Sequence, residues 1–262
     1  MSGIQGIPFR VILLAATIST LLACTTLSAD IKTLRKHASA GDAEAQDKLG
    51  LKYANGEGVG QDYTEAAKWF RKSAEQGFAQ AQYNLGFAYF KGQGVPQDSV
   101  EAVKWYRKAV ERGYAVAQHS LGFAYFEGQG VPQDYAEAVK WYRKAAGQGF
   151  ADAQYNLGVM YANGQGVPQD DAESARWYRR AAEQGDAGAQ YSLGLMYFNG
   201  QGVPQDFVQS YFWLSLAALR ASGDANRLAS DARDLAAKQL PPGKLVEVQR
   251  MTTGWEKSHP LK

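Results

Sequence analysis

Cysteine is almost missing from this chain. Among 262 residues there is one, Cys24. That excludes a disulfide framework and a metal site built from several thiolates. An excess of either charge is missing too, with 28 Lys and Arg against 26 Asp and Glu. A surface so nearly balanced argues against a protein whose main work is gripping nucleic-acid phosphates. The signatures of catalysis and nucleotide binding are likewise absent: there is no H-E-x-x-H, no G-x-S-x-G and no Walker sequence. Gly92-Gln93-Gly94 and Gly128-Gln129-Gly130 follow helical patterns rather than strands, and Pro96 and Gln97 interrupt the dinucleotide motif. What is present is ordinary globular material, 45% hydrophobic and only 21% charged. Disorder is excluded on that ratio.

Residues 1–29 read as a targeting segment. Their single charge is Arg10, followed by the apolar run Val11-Ile12-Leu13-Leu14-Ala15-Ala16 and, later, by Leu21-Leu22-Ala23. A positive end, an apolar middle and a small-residue region make a secretory signal. Cleavage after Ala29, within Leu27-Ser28-Ala29, would release a soluble periplasmic protein. Two alternatives stay open. Leu21-Leu22-Ala23-Cys24 resembles the lipobox of bacterial lipoproteins, which would make Cys24 the lipidated first residue. An uncleaved anchor is the other, since residues 11–29 carry no charge and are just long enough to span a bilayer. Release is preferred over lipidation because helical patterning begins near Asp30, which leaves almost no tether after Cys24.

The rest of the chain is governed by a period of 36. Leu-Gly recurs at Leu49-Gly50, Leu85-Gly86, Leu121-Gly122, Leu157-Gly158 and Leu193-Gly194, and tryptophan at Trp69, Trp105, Trp141, Trp177 and Trp213. Self-similarity of this kind marks stacked supersecondary units. The units are 43–78, 79–114, 115–150, 151–186 and 187–222, preceded by a capping helix in 30–42. Capping helices follow in 223–257, near 225–239 and 243–257, and a tail occupies 258–262. Within the second unit, Ala81, Leu85 and Tyr89 form one helical stripe that stops at Gly92, where a residue without a Cβ enters the left-handed region cheaply. After Gly94-Val95-Pro96-Gln97, Asp98 caps the next helix. Glu101, three residues on, suggests a capping box, in which the two side chains satisfy backbone donors reciprocally. The fold class is therefore all-α, an α-solenoid of five helix-loop-helix repeats with terminal capping helices. The cap outside Leu228, Ala232, Leu235, Gln239, Leu245, Val248, Thr252 and Trp255 should present a polar outer face.

The motifs A-x-A-Q-x-x-L-G, G-x-G-V-P-Q-D and W-Y-R-K-A together resemble the Sel1-like repeat family, a relative of the tetratricopeptide repeats with a longer inter-helix loop. The resemblance covers about 180 of the 262 residues. The first unit departs from it slightly, with Val59-Gly60 where the others have Val-Pro. The resemblance implies adaptors that hold protein partners without changing them. Some exported members carry a disulfide in each repeat and are linked to β-lactam binding. No repeat here contains cysteine, so that activity is not carried over.

The five tryptophans should fill the wedges between successive units, where truncating one costs about 3–5 kcal/mol. The repeated mid-helix glycines suggest crossings too close for a Cβ. On a helical wheel an arc opposite Ala81 falls on the first helix of each unit, and in tetratricopeptide-like stacks those helices line the concave surface. The partner-binding set is then Tyr83, Asn84, Phe87 and Lys91; His119, Phe123 and Glu127; Tyr155, Asn156 and Asn163; Tyr191 and Asn199. The first unit offers Asp47, Lys48, Leu51 and Asn55 instead. Aromatics beside amides suit extended peptides. The tyrosines could equally complete helix packing, and His119 reads as a surface or packing residue. The function expected is a non-catalytic protein- or peptide-binding scaffold of the periplasm or cell envelope. It would have no cofactor, metal or nucleic-acid partner, and would touch membrane only through its signal segment or a lipid on Cys24. The alternatives are a binder or hydrolase of the β-lactam or peptidoglycan class, and a structural envelope lipoprotein.

Overall fold

A computed structural model describes residues 30–260. The targeting segment and Cys24 lie outside the described residues. Those that are described hold thirteen helices and no strand. Helix α1 spans 30–39. Two helices per repeat follow: α2 Ala43–Asn55 and α3 Tyr63–Glu75, α4 Ala79–Lys91 and α5 Ser99–Glu111, α6 Ala115–Glu127 and α7 Tyr135–Gly147. Then come α8 Ala151–Asn163 and α9 Asp171–Glu183, α10 Ala187–Asn199 and α11 Phe207–Arg220, and finally α12 Gly223–Ala237 and α13 Lys244–Ser258. The chain is an all-α solenoid of five tandem 36-residue repeats. It divides into two compact units, one ending at Arg112 and the other beginning at Gly113.

The punctuation of each repeat is chemical. Gly92 takes φ 69° at the end of α4, and its N–H reaches the Ala88 carbonyl. Asp62, Asp98, Asp134 and Asp170 cap the second helices, each accepting from the backbone N–H three residues on at 2.9–3.0 Å. The reciprocal half of the expected capping box is not made. The N–H of each capping Asp is already donated to the carbonyl of a first-helix tyrosine, as from Asp98 to Tyr89 at 2.9 Å. The glutamates turn outward instead to a cation one turn on, Glu65 to Lys68 at 2.6 Å and Glu101 to Lys104 at 2.8 Å.

In the first unit, the mid-helix glycines serve a close crossing. A Cβ on Gly50 would lie 2.6 Å from the Phe70 ring, and one on Gly86 would lie 2.8 Å from the Tyr106 ring. Each aromatic directly follows a repeat tryptophan. The tryptophans fill the wedges: Trp69 packs on Ala38, Ala45 and Leu49, and Trp105 joins Ala66, Phe70, Ala81 and Leu85. Lysine ammonium groups close over their outer faces, Lys72 at 4.2 Å and Lys108 at 3.8 Å from the ring centroids. Arg35 and Arg71 add hydrogen bonds to the hydroxyls of Tyr53 and Tyr89, each eighteen residues further along. Loop residue Gly94 rests directly on the backbone of Tyr63, whose carbonyl a Cβ there would strike.

The second unit repeats these contacts. Gly122 meets Tyr142, Gly158 meets Tyr178, and Gly194 meets Leu214. Arg143 and Arg179 bond to Tyr161 and Tyr197. Trp177 and Trp213 pack against the helices of the preceding repeat. The final helix is pinned by Arg220, whose guanidinium bonds to Glu256 at 3.3 Å and the His259 carbonyl at 2.8 Å. It also lies 4.7 Å from the Trp255 ring centroid.

The terminal cap differs from expectation. Helix α12 buries Ala229 and Ala236, not Leu228 and Leu235, which stand 54% and 52% exposed. The reason is close approach. Ala229 packs on Ala217 and Ala218 of α11, and a leucine would not fit there. The outer face is mixed, with Leu228, Leu235, Val246 and Met251 exposed among charged residues such as Asp224, Arg227, Asp231 and Lys244. On α13 the buried residues are Val248 and Thr252, with Leu245 and Trp255 half-buried.

Candidate functional site

The side chains proposed to line the binding face fall into the two compact units and are treated unit by unit. In the first, α2, α3 and α4 enclose a cleft of about 370 Å³. Tyr83, Asn84 and Phe87 line it from α4, and Leu51, Ala54 and Asn55 from α2. Tyr83 is half-buried, its ring stacked on Tyr106 at 5.8 Å and 26° and tilted against Phe87 at 6.2 Å. Phe87 remains 38% exposed. Lys91 sits one helical turn beyond, with Nζ 5.8 Å from the Phe87 ring centroid and 5.2 Å from that of Phe90.

Asp47 was expected in the same solvent-facing arc, and the structure corrects this. Its side chain turns into the core, 2% exposed, and accepts from Asn84 Nδ2 at 2.8 Å. Burial raises its pKa from 3.8 to about 6, with the Asn84 hydrogen bond working against the rise and Glu44 adding to it. The second helix α3 also contributes Tyr63, Ala66, Ala67 and Phe70 to the cleft. Sequence reasoning missed these, having assigned the face to first helices alone. The available signal was the spacing of twenty from Gly50 to Phe70, repeated from Gly86 to Tyr106.

In the second unit the tyrosine positions prove half-buried. Tyr155 leans on Tyr178 at 5.7 Å. His119 lies between the Tyr142 and Phe150 rings, at 5.5 and 5.2 Å. Asn156 Nδ2 is 2.9 Å from His119 Nε2. With the amide as donor the imidazole accepts there, a role open to its neutral form. Burial lowers the His119 pKa below its ordinary value, against a smaller opposing pull from Asp152. Tyr191 borders an apolar hollow of about 140 Å³ together with Gly188, Ala217 and Leu228. Phe123 is 37% exposed, and Glu127, Asn163 and Asn199 are exposed at the ends of their helices.

Among the described residues no three His, Cys, Asp or Glu side chains come together as a metal site, and no helix is long and apolar enough to cross a membrane. The candidate side chains so placed are rings, amides and a few isolated charges.

The Sel1 repeat family model matches residues 43–78, 79–114, 115–150, 151–186 and 187–222. No curated protein matches the chain. Among solved structures, it is similar to a protective antigen of uropathogenic Escherichia coli strains that displays an SLR fold. The identity there is 43% and the TM-score 0.75, over 89% of this chain and 50% of that one. The chain thus spans about half the length of that relative. It is similar to a Sel1 repeat protein from Oxalobacter formigenes at 36% identity and TM-score 0.70, over 82% of this chain and 88% of the other. A Sel1 repeat protein from Klebsiella pneumoniae is 25% identical, with a TM-score of 0.51, over 79% of this chain and 99% of that one.

Proposed function

Given that the chain belongs to the Sel1 repeat family, we propose that it is a non-catalytic scaffold that holds a protein or peptide on the face lined by its first helices. The observation that carries this reading is the pair Phe87 and Phe123. These rings occupy the same position in successive repeats and stand 38% and 37% exposed. More than a third of each residue stays open to solvent, and exposed aromatics beside amides supply contact area and backbone hydrogen bonding to a bound chain. The decisive test is the double variant Phe87→Ala with Phe123→Ala. Photo-crosslinking from Glu127 in cells should capture less partner, while the helical melting curve moves little. A large loss of stability with undiminished capture would overturn the assignment.

The scaffold works outside the cytoplasm on this proposal, delivered by the segment before Asp30. The support for this is the sequence pattern of that segment, Arg10 followed by the apolar run that begins at Val11. Mass spectrometry of the mature N-terminus tests it: a first peptide beginning at Asp30 supports release into the periplasm, and a diacylated Cys24 supports membrane attachment instead.

A further inference from the structure

In three repeats a first-helix ring covers the aromatic that follows the repeat tryptophan. Tyr83 covers Tyr106 at 5.8 Å, His119 covers Tyr142 at 5.5 Å, and Tyr155 covers Tyr178 at 5.7 Å. In the first repeat that position is Asp47. A carboxylate supplies no ring, and this one is drawn inward to Asn84. The cleft of about 370 Å³ lies along the corresponding aromatic, Phe70, with Leu51, Tyr83 and Phe87 as its other apolar walls. Its volume falls in the range of sites that take a small ligand or a large side chain.

Two polar features matter here: Asn84, in the lining of this space, and Lys91, outside it but next to its Phe87 wall. Asn84 spends its Nδ2 on Asp47, which leaves its carboxamide oxygen as an acceptor for a peptide N–H. Lys91 stands beside Phe87, and no carboxylate among the described residues pairs with it. The nearby Lys52, by contrast, is held by Glu57 at 2.6 Å. Phe87 and Phe90 flank the Lys91 ammonium, so a carboxylate meeting it would do so against apolar surface.

We propose that this cleft binds an extended acidic peptide, taking one of its aromatic or large aliphatic side chains against Phe70 while an adjacent carboxylate pairs with Lys91. The proposal rests on the reading of the first-helix face as the partner-binding surface. It deepens that reading by naming the chemistry of the partner.

The test uses the full chain, labelled with nitrogen-15, and three capped tetrapeptides: acetyl-Gly-Phe-Asp-Gly-amide, its Phe-Lys counterpart and its Ser-Asp counterpart. Titrations follow the side-chain amide signals of Asn55 and Asn84. The Phe-Asp peptide should bind about two- to fivefold more tightly than Phe-Lys, the span expected of an exposed ion pair. It should exceed Ser-Asp by about tenfold or more, from burial of the ring. Lys91→Glu, a substitution at an exposed helix end, should reverse the charge preference. Leu51→Trp should fill the cleft and abolish binding. Circular dichroism checks that this variant folds, and Phe87→Ala, expected to weaken binding of both Phe peptides, serves if it does not. Equal affinities for Phe-Asp and Phe-Lys, unchanged by Lys91→Glu, would overturn the proposal. So would silence at Asn84 for all three peptides while crosslinks from Glu127 still capture a partner, an outcome that leaves the scaffold reading standing. Failure of the otherwise unaltered chain to capture any partner, with a photo-crosslinker placed at Lys91 or at Glu127, would instead overturn the scaffold reading itself.

Discussion

Two pairs of side chains occupy the same register in the two compact units, 72 residues apart: Asp47 with Asn84, and His119 with Asn156. Both join the first helices of consecutive repeats, and both are shaped by burial. Yet burial acts on groups of opposite charge type, so it raises the pKa of Asp47 and lowers that of His119. Each unit thus favours the neutral form at one joint. At neutral pH that costs the first unit, whose carboxylate must ionise in the core, and costs the second nothing. Identical architecture carries opposite acid responses.

Removing the shared partner breaks the comparison most sharply. Asn84→Leu leaves an ionised carboxylate buried without a donor and should cost about 2–4 kcal/mol at pH 7.5. Asn156→Leu leaves a neutral imidazole and should cost about 1–2 kcal/mol. Urea unfolding of the two variants decides this, and equal losses would mean that Asp47 is neutral at that pH.

Asp47→Asn should stabilise the protein at pH 7.5, on the order of 2–3 kcal/mol from the displacement of its pKa. The sign follows from proton counting. Between the unfolded value of 3.8 and the folded value of about 6 the native state binds more protons, so stability falls as pH rises through that window. The advantage of the variant should therefore vanish below about pH 4. Melting temperatures from pH 4 to 8 measure it.

His119→Tyr, which installs the residue of the neighbouring repeats, sharpens the other side. A histidine whose folded pKa lies below 6.5 gives stability that is present above that value and lost as pH falls. Relative to the parent, which also carries the opposite Asp47 response, the melting temperature of the variant should rise progressively from pH 7 to 5. The smallest effect is reserved for Lys68→Ala and Lys140→Ala, whose ion pairs to Glu65 and Glu137 are solvent-exposed in both units. Neither should move the melting temperature measurably in differential scanning calorimetry.

The architecture was legible because repetition multiplies weak signals. One Leu-Gly or one capping Asp says little, but five at a fixed interval determine helix, loop and helix. The close crossing at Gly50 and Gly86 was legible as well, though not the ring that causes it. Phe70 and Tyr106 are hidden in the sequence beside tryptophans that seem to explain the apolar stripe alone. Pairings between elements were illegible for a different reason. Arg71 to Tyr89 and Asp47 to Asn84 depend on which faces adjoin, and a wheel drawn for one helix does not contain that information. On α12 hydrophobic periodicity favoured Leu228 and Leu235. The deciding quantity was the separation from α11, which selects Ala229 and Ala236.

The loop glycine that settles on the preceding repeat also sets a rule for editing the molecule. Gly166 lies on the first residue of α7, Tyr135, and Gly202 on the first residue of α9, Asp171. Excising residues 151–186, one whole period, would hand Tyr135 from Gly166 to Gly202 and splice like to like. Cutting one residue more or fewer would bring a side chain onto a carbonyl that has no room for it. The array can therefore shorten by whole repeats and resists every intermediate length.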